Sequence, residues 1–152
     1  MNPMWLILGR MMFWLTWPAT WVYLHNSRRT RIIVMHRGQI LLTKGWLSNR
    51  DWALPGGGRH RHETALKAAR RELLEETGLD LPAVSFAPSG TFAGSDYGFH
   101  FTYDLFITKL PAQRPFRPQP FEITDLAWMT ADEVRASGPT ADLRAALGRW
   151  LD

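Results

Sequence analysis

Three glutamates, Glu72, Glu75 and Glu76, crowd the stretch RRELLEETGL at residues 70–79. Residues 62–77, HETALKAARRELLEET, are strong helix formers, so the acids occupy the last turns of a helix. A helix C-terminus carries partial negative charge and disfavours each acid there by roughly 0.3–1 kcal/mol. At 100° per residue the three side chains share an arc of about 100°, with Leu66, Ala69 and Leu73 beside them facing a core. Arg70 and Arg71 relieve part of the repulsion. A solvated helix gains nothing from this stacking, whereas a hard divalent cation with oxygen ligands accounts for it.

The loop before the helix reads LPGGGRHRHE, with Gly56, Gly57 and Gly58 in succession. Glycines let the backbone approach a ligand closely and adopt positive φ, which makes Gly57 and Gly58 candidates for substrate contact. A backbone carbonyl in such a loop also ligates a hard cation. Mg²⁺ commonly binds one or two carboxylates together with substrate phosphates. Acids plus glycine loop therefore point to metal-assisted chemistry on a phosphate compound.

Residues 57–79, GGRHRHETALKAARRELLEETGL, resemble the Nudix box, G-x5-E-x7-R-E-U-x-E-E-x-G-U with U aliphatic. Gly57, Glu63, Arg71, Glu72, Leu73, Glu75, Glu76, Gly78 and Leu79 fill every fixed position, and WALPGG at 52–57 resembles the family's lead-in. A weaker resemblance runs over about residues 30–150 and leaves out the first 25. It implies a Nudix-type α/β/α sandwich with a mixed sheet. The implied activity is hydrolysis of a pyrophosphate bond in a nucleoside diphosphate linked to another moiety, with Mg²⁺, or Mn²⁺ as a substitute. By resemblance, Glu72, Glu75, Glu76 and the Gly56 carbonyl are the metal ligands, Glu76 first among them. Arg71 orients the cluster by pairing with a glutamate such as Glu63. The base is a box glutamate or a downstream acid, here Glu122 in FEITDLAWMT or Asp96 in GSDYG. His62 stands where the family usually has glycine, a departure expected to reshape the start of the helix slightly.

Other side chains with chemistry are less specific. His60 and His62 flank the glycine loop and are expected to face solvent. Tyr97, in a glycine-flanked loop, is the best candidate to stack on a base, ahead of Trp46, Trp52, Phe99 and His100. Arg28, Arg29, Arg31, Lys44 and Arg50 are candidate phosphate contacts. Lys44 and Arg50 are the better placed, because they flank the loop leading to the box.

The elements that must position these residues follow from patterning. RTRIIVMH (29–36) and QILLTK (39–44) are β-rich runs joined by Arg37-Gly38, a hairpin. Gly78 ends the helix as a left-handed cap and Pro82 prevents continuation. Strands follow at 83–94, 99–110 and 123–130. In the second, Phe99, Phe101, Tyr103, Leu105 and Ile107 alternate onto one face. Residues 131–137 and 140–151 read as helices. The order is mixed α/β, with a sheet that cannot be all parallel.

The 152 residues suit one domain, 28–152, preceded by an apolar tryptophan-rich segment, 1–27. No cysteine is present, which removes disulfides, thiolate metal sites and cysteine nucleophiles and fits a reducing, cytoplasmic setting. Residues 1–50 hold seven Arg or Lys and no acid, so the rest sums to −3 against a whole-chain charge of +4. Such a basic front half attracts a polyanion: nucleotide phosphates, an RNA 5′ end or an anionic lipid surface.

Residues 4–24, MWLILGRMMFWLTWPATWVYL, are long enough to span a bilayer. Seven strong apolar formers gain roughly 3.5 kcal/mol and Arg10 costs roughly 2.5–3.5, so spanning is marginal. Trp5, Trp14, Trp17 and Trp21 favour an interface, and HNSRRTR is expected on the cytoplasmic side. The segment packs on the domain, joins a second copy in a homodimer, or meets the cytoplasmic face of a membrane. Two further function classes stay open beside the small-molecule hydrolase: an RNA 5′-end pyrophosphohydrolase and a catalytically silent nucleotide-binding or sensing module.

Overall fold

The computed structural model describes residues 7–9, 11, 12, 14–16, 18, 27–46, 51–96, 99–118 and 122–150. Arg28–His36 (β1) and Gln39–Gly45 (β2) form the expected hairpin, with Met35 opposite Ile40 and His36 opposite Gln39. Arg37 (φ 48°) and Gly38 (φ 77°) both take left-handed conformations at its turn. Two such residues give a turn whose twist matches the strands it joins.

Ala87–Asp96 (β3), Phe99–Lys109 (β4) and Ile123–Thr130 (β5) complete one five-stranded sheet in the order β3-β4-β1-β2-β5. β1 and β4 run parallel, with Ile32 beside Phe106, and every other pair is antiparallel. The helices are Ala65–Thr77 (α1), Ala131–Ala136 (α2) and Ala141–Trp150 (α3).

Successive β1 residues point to opposite faces, and both faces are covered, so Ile32, Ile33 and Val34 are all buried. On one side Ile32, Val34 and Leu41 meet Ala69 and Leu73 of α1, with Leu79, Leu81 and Phe106 alongside. On the other, Ile33, Ile40 and Leu42 meet Val134 of α2 and Leu143 of α3, with Phe101, Tyr103 and Leu105 from β4. Two helical layers around a mixed sheet make the α/β/α sandwich. Each fully buried aliphatic side chain contributes roughly 1.5–3 kcal/mol to holding it.

Two boundaries differ from the sequence reading. α1 begins at Ala65 rather than at 62, because the Thr64 hydroxyl accepts the Lys67 amide and caps the helix. The strand expected from 83 begins at Ala87: Pro82 leads into a 3₁₀ turn at Ala83–Ser85, and β3 then runs to Asp96. The described N-terminal residues 7–9, 11, 12, 14–16 and 18 are helical. Among the described residues no helix is long and apolar enough to cross a membrane.

Candidate active site

α1 ends where its sequence says it must. Gly78 is left-handed (φ 76°), and its amide donates to Leu74 O at 2.8 Å. A Cβ there would press on the backbone of Arg117, whose own amide caps Thr77 O at 2.9 Å. No basic residue lies in the last turn of α1 to offset Glu75 and Glu76.

The glycine loop crosses the end of β1 through backbone bonds. Ile32 N donates to Pro55 O at 2.9 Å and Thr30 N to Gly57 O at 2.8 Å. Gly56 (φ 133°) passes so close that a Cβ would collide with the carbonyl of Thr30. At Gly57 a Cβ would sit 2.6 Å from Glu72 Oε2, so the absent side chain is the space the carboxylate fills. Only glycine meets both demands.

Arg71 ties the cluster together. Its Nε and Nη2 grip the two oxygens of Glu63, each at 3.0 Å, and Nη2 also donates to Gly58 O at 3.0 Å. Nη1 reaches Glu72 Oε1 at 2.7 Å and Glu75 Oε2 at 3.0 Å. The fork brings the Glu63 carboxyl down to about 2, chiefly through its hydrogen bonds, with the His60 amide assisting. On the opposite side Gly56 N donates to Glu76 Oε2 at 2.8 Å, and the buried Arg31 Nη1 donates to Gly56 O at 2.6 Å.

Burial raises Glu72 and pushes Glu76 up to about 8, and each is raised further by charge from Glu122. Glu122 is exposed just before β5, and its carbonyl takes the Trp46 amide at 2.9 Å. Desolvated carboxylates that repel one another are stabilised by a cation.

Among the described residues no three acids or histidines are gathered as a ready coordination shell. The donors nevertheless fit a hard ion. Each carboxylate spends one oxygen on the protein: Glu72 Oε1 and Glu75 Oε2 on Arg71, Glu76 Oε2 on the Gly56 amide. The second oxygen of each, and the second lone pair of Gly56 O, can take a ligand.

A NUDIX-domain family model matches residues 25–151. The chain belongs to the Nudix hydrolase family. The family acts on nucleoside diphosphate derivatives. The Nudix hydrolase YfcD of Escherichia coli K12 is 31% identical over 135 residues, covering 88% of this chain and 71% of its own. Two solved structures share the fold. A MutT Nudix hydrolase from Burkholderia pseudomallei has a TM-score of 0.72 at 23% identity, covering 83% of this chain and 98% of its own. The E. coli dihydroneopterin triphosphate pyrophosphohydrolase has a TM-score of 0.71 at 18% identity, covering 84% and 97%.

Within this Nudix domain Gly56 and the box residues Gly57, Glu63, Arg71, Glu72, Glu75 and Glu76 come together, and Glu122, just before β5, is near enough for its charge to raise Glu72 and Glu76. The peripheral candidates fare differently. Gly57 O and Gly58 O are engaged by Thr30 N and Arg71, which leaves these glycines a spacing role on their carbonyl side. Lys44 lies 4.2 Å from the Trp52 ring centroid, a cation–π contact that holds it against the core. Trp52 is itself buried.

Arg31 is no surface phosphate contact: it is buried, bonded to Gly56 O, and its guanidinium lies over Phe101. His60 and His62 are exposed as expected. His62, however, keeps a left-handed φ of 65°, so the turn into the helix persists and the non-glycine residue absorbs the strain. Arg50 and Tyr97, and the side chains of Asp96 and Phe99, lie outside the described residues.

Sequence reasoning missed Arg31 as the residue behind the Gly56 carbonyl. The available signal was its place on a strand whose next three residues are Ile32, Ile33 and Val34.

Proposed function

We propose that this Nudix hydrolase cleaves the pyrophosphate bond of a nucleoside diphosphate linked to another moiety, as a Mg²⁺-dependent pyrophosphohydrolase with Mn²⁺ a working substitute. The observation that carries the reading is the trio Glu72, Glu75 and Glu76, each with one carboxylate oxygen fixed by the protein and one left over, together with the Gly56 carbonyl. Those four groups would hold the cation. Bound there, it supplies charge neutralisation at the diphosphate oxygens and acidifies water.

The chain's own residues do the rest. Arg71 fixes the Glu72 and Glu75 carboxylates in rotation, and Glu63 fixes Arg71. Arg31 presents the Gly56 carbonyl. Glu122 is the candidate general base: it is exposed, close enough to raise Glu72 and Glu76, and tethered through its carbonyl to Trp46. It takes a proton from water attacking one phosphorus in line, while the other phosphate leaves.

A phosphate-release screen over nucleoside diphosphate derivatives, with Mg²⁺ and with Mn²⁺, tests this. Turnover that EDTA abolishes is expected. Tight binding of these compounds without turnover would instead make the domain a silent binding module. Turnover confined to 5′-triphosphate RNA, falling steeply with salt, would make it an RNA-end enzyme.

A further inference from the structure

The helical N-terminal residues expose a row of large apolar side chains that hydrolysis does not use. Ile7 is 61% exposed, Met11 65%, Trp14 54% and Leu15 79%, with Leu8 and Met12 also open to solvent. Ile7, Met11, Trp14 and Leu15 line one shallow depression. At 100° per residue all six fall within about 160° of the helix circumference, a contiguous face. Gly9 lies off that face and is buried: a Cβ there would sit 2.6 Å from Trp46 Nε1. The helix therefore meets the domain at Gly9 and turns its apolar side outward.

We propose that this face docks on an anionic lipid surface. Charge selects that occupant over a second copy of the chain. Residues 1–50 carry seven Arg or Lys and no acid. Arg31 among them is buried, but Arg28, where β1 begins, is exposed, so two copies meeting face to face would bring basic stretches together with no acid in them, whereas acidic headgroups neutralise such stretches. Composition agrees, since residues 4–24 hold four tryptophans and a single charge, Arg10, which suits the boundary between headgroups and acyl chains better than the bilayer interior.

Gly9 packs on the Trp46 side chain, and the Trp46 amide is bonded to Glu122 O at 2.9 Å, which ties the residue under the helix to the start of β5.

The test is flotation of the full-length protein with phosphatidylcholine vesicles, with and without phosphatidylserine, alongside light scattering without vesicles. The protein is expected as a monomer that partitions at least about tenfold more onto the phosphatidylserine vesicles, with added salt releasing it. Met11→Glu/Leu15→Glu is expected to lose that partitioning at unchanged melting temperature and unchanged turnover of a soluble substrate. If the double variant is misfolded by circular dichroism, Leu15→Gln, at the most exposed position, carries the same expectation. Equal partitioning of wild type and a folded variant would overturn the proposal, as would no vesicle binding. So would a wild-type dimer that the substitutions convert to monomer.

Discussion

Arg71 and Glu63 are joined by two parallel hydrogen bonds, Nε to Oε1 and Nη2 to Oε2, both 3.0 Å, eight residues apart across the start of α1. This leaves Nη1 aimed at Glu72 and Glu75. The pairing is what turns a repulsive helix end into an ordered set of carboxylates. A lysine supplies the charge without the fork. Arg71→Lys is therefore expected to weaken Mn²⁺ binding by about 10–100-fold at an unchanged fold, the size typical of groups that orient metal ligands. Calorimetric titration measures it, and wild-type affinity in the variant would show that the fork does not orient the acids.

The same pair makes stability depend on pH in acid. The Glu63 carboxyl is held at about 2 in the folded protein, against an ordinary 4.5. A lowered carboxyl stabilises the fold above its unfolded value, and that contribution disappears as pH falls from about 4.5 towards 2. Glu63→Gln is expected to be less stable than wild type at neutral pH, with the gap narrowing across that window. Urea melts at stepped pH check it; a gap that stays constant down to pH 2 would contradict the linkage.

Glu76 has the opposite sign. Burial lifts its carboxyl to about 8, so the metal-free fold binds this proton more tightly than the unfolded chain does. Metal-free stability is expected to fall as pH rises from about 4.5 to about 8. A cation competes with that proton, so Mn²⁺ affinity should climb by up to about tenfold per pH unit and level off near 8. Titrations from pH 6 to 9 decide, and a flat profile would rule out Glu76 as a ligand.

His62 sits at a left-handed φ of 65°. Glycine adopts that conformation without strain, so His62→Gly is expected to stabilise the protein by about 0.5–1 kcal/mol, a rise of roughly 1–4 °C in Tm. Scanning calorimetry measures it, and a lower Tm would mean the imidazole makes contacts that outweigh the strain.

What could be read in the chain was what is local. The box spacing, the Gly78 cap and the hairpin turn at Arg37-Gly38 each lie within a few residues of their cause. Glu122 was reached only through the family resemblance of FEITDLAWMT. Arg31 was not legible, because a buried arginine and a solvated one read alike until β1 is known to be covered on both faces. The parallel pairing of β1 with β4 joins residues some seventy positions apart, which no local pattern encodes. The contact of Lys44 with Trp52 was not legible, because Trp52 reaches it only through the fold.

The proposed activity depends on the carboxylates of the last turns of α1 holding a catalytic cation. The most direct test is the initial rate of pyrophosphate hydrolysis by wild type and Glu76→Gln, on the best substrate from the phosphate-release screen, across a Mg²⁺ titration. The wild-type rate is expected to rise to saturation with Mg²⁺ and to vanish with EDTA. A folded Glu76→Gln enzyme is expected to be slower by about 100-fold or more, equivalent to roughly 2.7 kcal/mol in the barrier. A variant with near-wild-type rates, or a wild-type rate indifferent to Mg²⁺, would contradict that dependence.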